Sequence, residues 1–513
     1  AKPAAPFFGG AAGFLHRPLE GWKLPDGLIQ VHTALEAVLE AIIPGFLGVG
    51  AEGRVSGRRL VRIDLLLILA SAEPAPGGAT QQCGGDEQSA PARFFHACVH
   101  LVAHADKVPR SRGARLNDRL YPPPMRPRIN QRLEGLAQSD IRAMTRAANA
   151  AGAINLGQGI CDLPTPPPVA EAAIRAIQGQ RSTYTYAEGD GDLRRKIAAK
   201  LGRVNGIQAD PETDIVVTAG SAAAFTCVLH GLFDPGDGLL IPEPYYGYHV
   251  GAARVAGLVP QYVSLAAPGF ELTEEALRAA ITPSTRGLVL CTPSNPSGRM
   301  MTRAEIHAAE RIAVEFDLFV ITDEIYESIT YDGREHVSPA STSSALAERC
   351  VTILGLSKTF SITGWRLGYA VAPPEMAERL KLVHDLFYIC APTPLQHGVA
   401  AGFDLPDSFF ESMRADYAKK RDLIVGALSD IGLTPAVPEG AYYVLADVSR
   451  IGAETAKEAA MQLMKESGVA SVPGTAFFSG TGQESGQGLV RFCYAKEFEV
   501  LEEAARRLRA WGS

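Results

Sequence analysis

The sequence has no long apolar run. Its longest aliphatic stretch, LLLILA at residues 65–70, is far shorter than the roughly 18 residues that a membrane span requires. The opening residues, AKPAAPFFGG, do not show the charged and then apolar pattern of a secretory signal. We therefore expect no membrane partner and a cytoplasmic location.

The sequence also lacks paired cysteines and an excess of positive charge. The eight cysteines are scattered without metal-type spacing, at positions 83, 97, 161, 227, 291, 350, 390 and 493. Several of them lie in apolar runs, which predicts buried thiols in a reducing compartment and no metal site. The formal net charge of -7 gives no support for a nucleic-acid partner.

From about Met125 onward, apolar strand-like runs alternate with helical stretches. The runs are DIVVTAG, GLLIPEP, RGLVLCTP, LFVITDE and VTILGLS, and the helical stretches include TEEALRAAI and TRAEIHAAERIAVEF. This alternation predicts an α/β fold in which helices cover a mostly parallel sheet.

Residues 1–124 lack this regularity. They are rich in Gly, Pro, Ala and Arg, and contain breaks such as EPAPGGATQQCGGDEQSAPA. We interpret them as an N-terminal appendage that is either disordered or non-native. His96, His100 and His104 have the spacing of one helix face, but without a partner carboxylate or a zinc motif they do not predict a metal site.

Two cations lie in the stretch LSKTFSITGWRLGY at residues 356–369. Lys358 follows an apolar run, so we expect it at the end of a buried strand. Partial desolvation and a neighbouring cation lower the pKa of an amine there and make it a nucleophile toward carbonyl groups. Arg366 stays charged and offers a planar fork to phosphate or carboxylate. A ligand with a carbonyl and a phosphate would use both residues, and pyridoxal phosphate is such a molecule.

Further polar residues follow other predicted strands. In LFVITDEIYESI, Asp323 and Tyr326 lie at a strand end, where open α/β sheets bind ligands. An aspartate there would keep a pyridine nitrogen protonated, and a tyrosine hydroxyl would bond a phenolic oxygen. A helix cap is an equally good interpretation of Asp323 taken alone. Asn295, in SNPSG, is either a turn residue or an amide donor to the same oxygen.

A strand, a glycine and an alanine-rich helix follow one another in DIVVTAGSAAAFTCVLHGLF. Backbone amides at a helix start bind anions, so Gly220, Ser221 and Ala222 are candidates to hold the phosphate. This pattern is weak on its own, because strand–glycine–helix turns are common.

In combination, the motifs occur in the order of one family. They are LGQG, Tyr184 with Gly189 and LRR, TAGS, EPYYGY, SNPSG, DEIY, SKTFSITGWRLGY and RFCYA. Residues 125–513 therefore resemble a class I aminotransferase of fold type I, in the branch with kynurenine, glutamine and bacterial aspartate aminotransferases. The resemblance implies pyridoxal 5'-phosphate as cofactor, a large domain at 165–400, and a small α/β domain formed by 125–164 and 401–513.

The resemblance also implies a cofactor-binding set. Its members are Gly220, Ser221, Ala222, Tyr246, Asn295, Asp323, Tyr326, Ser357, Lys358, Arg366 and Tyr184. Lys358 matches the Schiff-base lysine that moves the proton, and Asp323 and Tyr326 complete the catalytic group. Tyr246 matches the aromatic residue that stacks on the ring, and Tyr184 matches a phosphate ligand contributed by the other subunit of a homodimer.

Substrate recognition is implied for three residues. Arg491, in GLVRFCYAK, matches the arginine that grips the α-carboxylate; Gly159, in LGQG, permits close approach of that carboxylate, and Asn295 lies beside it.

The chain departs from the family at several positions. Gly355 replaces a serine of many relatives, so that Ser357 or Ser221 would supply a phosphate hydroxyl. Ile160 and Cys161 alter the lining of the entry, and Ala222 stands where some relatives carry an aromatic residue or a lysine. These departures leave the substrate open.

The implied activity is a ping-pong transfer of an amino group from a neutral, aromatic or aspartate-like L-amino acid to a 2-oxo acid, with 2-oxoglutarate as the expected acceptor. No clear second cation for a distal carboxylate is evident, which favours neutral or aromatic donors. A β-lyase of the cystathionine or cysteine-S-conjugate type is an alternative, since one carbanion serves both reactions. An aminotransferase-like transcription regulator is another, although residues 1–124 show no helix-turn-helix pattern.

Overall fold

The structure is a computed structural model, and it describes residues 140–512. The proposed appendage at 1–124, with His96, His100 and His104, lies outside the described residues. Within 140–512, no helix has both the length and the apolar composition needed to span a membrane.

The described chain alternates strands and helices. The strands are β1 (Ile154–Asn155), β2 (Ile215–Thr218), β3 (Gly238–Glu243), β4 (Val259–Ser264), β5 (Thr285–Cys291), β6 (Phe319–Asp323), β7 (Cys350–Gly355), β8 (Gly368–Val371), β9 (Thr434–Pro435), β10 (Tyr443–Asp447), β11 (Val469–Ala470), β12 (Val472–Pro473) and β13 (Leu489–Cys493). The α-helices are α1 (Asp140–Ala151), α2 (Pro167–Gln178), α3 (Gly191–Lys200), α4 (Ser221–Leu232), α5 (Gly247–Ala256), α6 (Glu274–Ala280), α7 (Arg303–Glu315), α8 (Ser344–Ala347), α9 (Leu356–Thr359), α10 (Pro374–Tyr388), α11 (Thr393–Ala400), α12 (Asp407–Asp430), α13 (Ala456–Ser467) and α14 (Phe498–Gly512).

Seven strands form the largest sheet, in the order β2-β8-β7-β6-β5-β3-β4. Strand β8 pairs antiparallel with both of its neighbours, so β2 runs in the same direction as β7. The pairs among β7, β6, β5, β3 and β4 are all parallel. The predicted α/β fold with a mostly parallel sheet is confirmed.

Helices cover both faces of this sheet. In β2, Val216 packs into a cluster with Phe225 of α4, whereas Ile215 and Val217 pack into another cluster with Ile197 of α3. Successive side chains of a strand point to opposite faces, so these clusters lie on opposite sides of the sheet. Burial on both faces explains why the strands read as continuous apolar runs rather than as alternating patterns.

A second group of strands uses chain from before and after the large sheet. Strands β12, β13, β10 and β9 form an antiparallel sheet in that order, and β1 pairs in parallel with β11. The core beside them includes Leu156, Tyr417, Val444, Phe492 and Leu501. The domain limits given above stay a prediction.

The parallel strands bring their carboxyl ends to one edge of the large sheet. Strand β2 ends at Thr218, β5 at Cys291, β6 at Asp323 and β7 at Gly355. The turns that follow carry the residues for which we expect ligand contacts. Their meeting at one edge is the usual position of a binding crevice in an α/β sheet.

All cysteines of the described part of the chain are free. The prediction of buried thiols is right for Cys161, Cys227, Cys350 and Cys493, but it is wrong for Cys291 and Cys390, which are partly exposed. Cys291 is the last residue of β5, where the strand leaves the covered sheet, and Cys390 follows the end of α10.

Candidate active site

A cavity of about 350 Å³ lies at the carboxyl edge of the large sheet. Its wall includes most of the residues expected from the sequence, namely Gly159, Ser221, Ala222, Tyr246, Asn295, Asp323, Tyr326, Ser357, Lys358, Arg366 and Arg491. Gly220 immediately precedes the cavity-lining Ser221 in the sequence. Tyr184 does not line the cavity and is 77% exposed. The fold therefore brings most of the expected site residues to one cavity, while the role of each residue stays a prediction.

Lys358 lies on α9, directly after β7. Its Nζ donates to the carbonyl oxygen of Gly159 at 3.4 Å. Burial lowers the pKa of Lys358 below its ordinary value; Cys493 and Cys161 oppose this effect, and the charge of Arg366 adds to it. A lowered pKa increases the fraction of neutral amine, which is the form that reacts with carbonyls and accepts protons.

Asp323 ends β6 and is buried. Its Oδ2 lies 2.9 Å from Nε2 of His249, and its Oδ1 accepts a bond from the Ile325 amide at 3.3 Å. An ionised carboxylate only accepts hydrogen bonds, so His249 donates from Nε2. A turn rather than a helix follows Asp323, so the alternative of a helix cap is wrong.

His249 is a site residue that sequence reasoning missed. It lies on α5, is 4% exposed, and lines the cavity. Its ring contacts that of Tyr246 edge-on, with centroids 5.4 Å apart. The only signal was its position three residues after Tyr246 in EPYYGYHV, which reads equally well as a helix residue of the core.

Two tyrosine hydroxyls meet on the cavity wall. Tyr326 Oη and Tyr443 Oη lie 3.0 Å apart, and both residues are buried. Burial raises the pKa of Tyr326 well above its ordinary value and that of Tyr443 to about 12. Both therefore keep their protons at neutral pH, and in the bond between them one hydroxyl donates to the other. Tyr443 was missed because it lies in GAYYVLAD, which reads simply as a strand.

A candidate phosphate site forms where α4 begins. Gly220 has a φ of +84°, and a Cβ there would lie 2.5 Å from Nη2 of Arg366. Arg366 itself has a left-handed backbone, with a φ of +56°, and its Nη1 donates to the Thr363 carbonyl at 3.0 Å. The guanidinium is thus packed against the start of a twelve-residue helix beside Ser221. Amides, hydroxyl and cation together suit a phosphate.

The departure at Gly355 has a steric reason. A Cβ at this position would lie 2.3 Å from Cγ1 of Ile325, so a serine does not fit without a shift. Ser357 and Ser221 both line the cavity. Ser357 donates to the Leu367 carbonyl at 3.4 Å, which is a long bond that leaves the hydroxyl able to turn toward another acceptor.

Arg491, on β13, is almost completely buried. Its Nη1 donates to Oδ1 of Asn295 at 2.8 Å and its Nη2 donates to the Gly157 carbonyl at 2.7 Å. The guanidinium also lies over the ring of Tyr443, 4.3 Å from its centroid. Among the described residues, its Nε has no hydrogen-bond partner. No carboxylate within residues 140–512 bonds to this buried cation, so it can bind one from a substrate.

Gly159 lies on the cavity wall at a position that has no room for a side chain. A Cβ at this position would lie 1.9 Å from Oη of Tyr443, so any side chain would displace the tyrosine. Ile160 also lines the cavity. The expectation that Cys161 lines the entry is wrong, because its Sγ is buried against Oγ of Ser361 at 3.3 Å and Oη of Tyr417 at 3.4 Å.

The structure also places a cation that the sequence did not reveal. Arg142, on α1, lines the cavity and donates from Nη2 to Oη of Tyr248 at 3.2 Å. The expectation that no second cation is available is therefore wrong. The arginine escaped notice because it precedes the Lys358 motif by more than two hundred residues, and only the fold brings them to one cavity.

Comparisons with known proteins agree with this geometry. The family model described as aminotransferase class I and II matches residues 151–508. The chain belongs to this family. It is an aminotransferase of fold type I that depends on pyridoxal phosphate. The cavity fits that cofactor, since it combines the lysine, the candidate phosphate site at Gly220 and Arg366, and the buried carboxylate of Asp323.

Several aminotransferases of known name are similar over most of their length. The kynurenine–oxoglutarate transaminase 3 of Mus musculus is 32% identical, over 75% of this chain and 90% of its own. The aromatic-amino-acid aminotransferase 2 of Thermococcus litoralis is 35% identical, over 74% and 97%. The solved structure of N-succinyldiaminopimelate aminotransferase from Mycobacterium tuberculosis has a TM-score of 0.72 and 34% identity, over 75% of this chain and 100% of that one.

Proposed function

We propose that this aminotransferase moves an amino group from a neutral, aromatic or aspartate-like L-amino acid to a 2-oxo acid, with 2-oxoglutarate as acceptor. Both half-reactions would take place in the one cavity, by a ping-pong mechanism. The names of two similar proteins support this substrate class, since one is an aromatic-amino-acid aminotransferase and another is a kynurenine–oxoglutarate transaminase.

The observation that carries the proposal is the buried guanidinium of Arg491 in the same cavity as Lys358. Two of its nitrogens bond to Asn295 and Gly157, which fixes the plane of the fork. A substrate α-carboxylate bound there would be held in one orientation, because the fork offers paired donors and Gly159 has no side chain in the way.

The cofactor contacts follow from the donors and acceptors on the wall. Arg366, Ser221, Ser357 and the first amides of α4 would hold the phosphate. Asp323, oriented by His249, would hold the protonated pyridine nitrogen, and Tyr246 would pack on the ring. Oδ1 of Asn295 accepts from Arg491, so Asn295 presents its NH₂ group as a donor to the ring oxygen beside the Tyr326 hydroxyl.

When bound, pyridoxal phosphate supplies an aldehyde for the amino group and an electron-withdrawing ring. The chain supplies the proton transfer. Nζ of Lys358 accepts the proton from the substrate α-carbon and returns it, because its lowered pKa keeps a neutral amine available. The buried side chains of Tyr326 and Tyr443 line the same wall.

The test is an absorbance spectrum of the purified holoenzyme with single amino acids and no oxo acid. We expect neutral and aromatic amino acids to convert the visible band to that of the amino form, and 2-oxoglutarate to restore it. In Lys358→Ala, the conversion should disappear. Arg491→Lys should weaken amino-acid binding by about tenfold, because a single ammonium replaces a bidentate fork.

Two results would contradict the proposal. Production of pyruvate from cystathionine without any oxo acid would favour the β-lyase. Specific binding of the full chain to DNA, lost on deletion of residues 1–124, would favour the regulator. The homodimer, the Schiff base at Lys358, the absence of nucleic-acid and membrane partners, and the cytoplasmic location stay predictions.

A further inference from the structure

The cavity contains one more cation than the proposed reaction uses. Among the described residues, its charged side chains are the cations Arg142, Lys358, Arg366 and Arg491 and one carboxylate, Asp323. In the proposed function, Arg366 holds the phosphate, Arg491 holds the α-carboxylate, and Lys358 transfers the proton. Arg142 is left without a role.

Arg142 lies on the cavity wall and contacts one of a pair of stacked tyrosines there. It lies in the first turn of α1, and within the described part of the chain its guanidinium donates to the hydroxyl of Tyr248 at 3.2 Å. Tyr248 stacks on Tyr246, with ring centroids 5.1 Å apart and 23° between the planes. Within residues 140–512, no carboxylate forms an ion pair with this arginine.

The surroundings of Arg142 suit a short substrate side chain that ends in a carboxylate. Ile141, Ile160 and Ala252 line the same cavity and offer apolar contact to methylene groups. The guanidinium of Arg142, which has no carboxylate partner among the described residues, offers a planar fork for a second carboxylate on the same wall. We propose that Arg142 binds the distal carboxylate of dicarboxylic amino acids and 2-oxo acids. This inference rests on the proposed function and assigns the residue that recognises its dicarboxylic substrates.

The exposure of Arg142 allows neutral substrates in the same site. The residue is exposed, so its charge remains hydrated when the substrate has no second carboxylate. An exposed cation without a partner costs little free energy, whereas a buried one would exclude neutral side chains. One arginine can therefore favour a dicarboxylic acceptor without rejecting an aromatic donor.

The test compares two four-carbon acids that differ in one carboxylate. Succinate and butyrate are titrated calorimetrically against the holoenzyme. We expect succinate to bind more tightly than butyrate to the wild-type protein. In Arg142→Gln, succinate binding should weaken by about tenfold, the typical effect of a lost charged hydrogen bond, while butyrate binding should change by less than about threefold.

Two further variants control for charge and for folding. Arg142→Lys keeps the charge but loses the fork, so the succinate preference should be intermediate. Arg175→Gln removes an arginine of α2 that pairs with Glu171 at 3.7 Å and does not line the cavity. It should leave both affinities unchanged. In turnover, Arg142→Gln should lower kcat/KM for glutamate by about tenfold and leave that for methionine within about threefold.

Equal losses for succinate and butyrate, or unchanged succinate binding in Arg142→Gln, would overturn the inference. The titrations need no turnover, so they decide the role of Arg142 even if no neutral amino acid reacts and the proposed donors are wrong. Conversely, a wild-type protein that reacts with neutral donors but binds succinate no better than butyrate would overturn this inference alone.

Discussion

Lys358 is a residue at which function and stability oppose each other. Its folded-state pKa is lowered from the ordinary value of 10.5, chiefly by burial. Between the folded-state pKa and 10.5, the unfolded chain binds more protons than the folded one. The contribution of this lysine to stability is therefore unfavourable below the folded-state pKa, and the penalty is relieved as the pH rises toward 10.5.

Replacing Lys358 by methionine should consequently stabilise the cofactor-free protein. We expect the free energy of unfolding at pH 7 to rise by roughly 0.5–2 kcal/mol in Lys358→Met, since an apolar side chain of similar length fills the site. The gain should shrink toward pH 10.5. Aminotransfer should fall by at least about 100- to 10,000-fold. Urea denaturation and a coupled assay measure the two effects.

Lys420→Met is the matched control for this prediction. Lys420 is 1% exposed, but it has a partner, Asp416, at 2.9 Å. Removing it should destabilise the protein, because the ion pair is lost. A loss of stability in Lys358→Met as large as that in Lys420→Met would show that burial imposes no penalty on the active-site amine.

At the scale of elements, a single glycine at the start of α4 leaves room for the Arg366 guanidinium. Gly220 combines a positive φ with a Cβ position 2.5 Å from Arg366. In Gly220→Ala, we expect Arg366 to be displaced from the helix start and the affinity for pyridoxal phosphate to fall by about tenfold or more. Reconstitution of the cofactor-free protein, followed by absorbance, gives the dissociation constant.

Gly251→Ala provides the control within a neighbouring helix. Gly251 lies inside α5, and a Cβ there would meet no atom within 4 Å. Alanine should leave cofactor affinity unchanged and stabilise the helix by about 0.5–1 kcal/mol. Equal cofactor affinities in the two variants would contradict the proposed anion site.

The first turn of helix α7 contains a buried carboxylate, Glu305, that accepts several hydrogen bonds. Glu305 accepts bonds from the Thr302 amide, the Leu272 amide and the Arg299 guanidinium, at 2.7–2.8 Å. Burial alone would raise the pKa of Glu305, but the bonds from Arg299, Thr302 and Leu272 bring it below its ordinary value of 4.5. Its stabilising effect is therefore present above pH 4.5 and is lost as the pH falls through the folded-state pKa.

Glu305→Gln should thus destabilise the protein in a pH-dependent way. We expect a loss of about 2–3 kcal/mol in the free energy of unfolding at pH 7, because Arg299 and the amides of Thr302 and Leu272 lose a charged acceptor. The difference from the wild-type protein should narrow below pH 4.5. Glu315→Gln, which removes an exposed carboxylate paired with Arg278, should have little effect. A pH-independent difference for Glu305→Gln would show that its charge is not involved.

At the scale of the whole molecule, Tyr184 tests the predicted homodimer. The residue is 77% exposed and does not line the cavity of its own chain. If it serves the site of the other subunit, Lys358→Ala and Tyr184→Ala chains should complement each other. In a hybrid dimer, the Tyr184→Ala chain keeps its own Lys358 and receives an intact Tyr184 from the other chain.

The two variants are mixed in equal amounts, unfolded and refolded together, so that about half of the dimers are hybrids. Each hybrid has one intact site of two, so we expect the mixture to recover about a quarter of the wild-type activity. The assay is made at a cofactor concentration where each variant alone is inactive. Mixtures that stay inactive, although hybrids form, would mean that Tyr184 does not act across the interface.

The sequence by itself determined the types and order of the elements, because alternation and helical periodicity are local patterns. It also determined which chemical groups follow the strand ends. Lys358, Asp323 and Arg491 could be recognised because each lies in a short motif of specific order. Strand β8, the antiparallel member of the large sheet, was not expected, since strand direction depends on the path of the whole chain.

Only the tertiary structure decided which distant side chains share the cavity. Arg142, His249 and Tyr443 lie there although their own segments read as ordinary helix or strand. Cys161, one residue from the cavity-lining Ile160, is instead buried against Tyr417. The physical reason is that the direction of a side chain is set by packing between elements far apart in sequence, which no local pattern records.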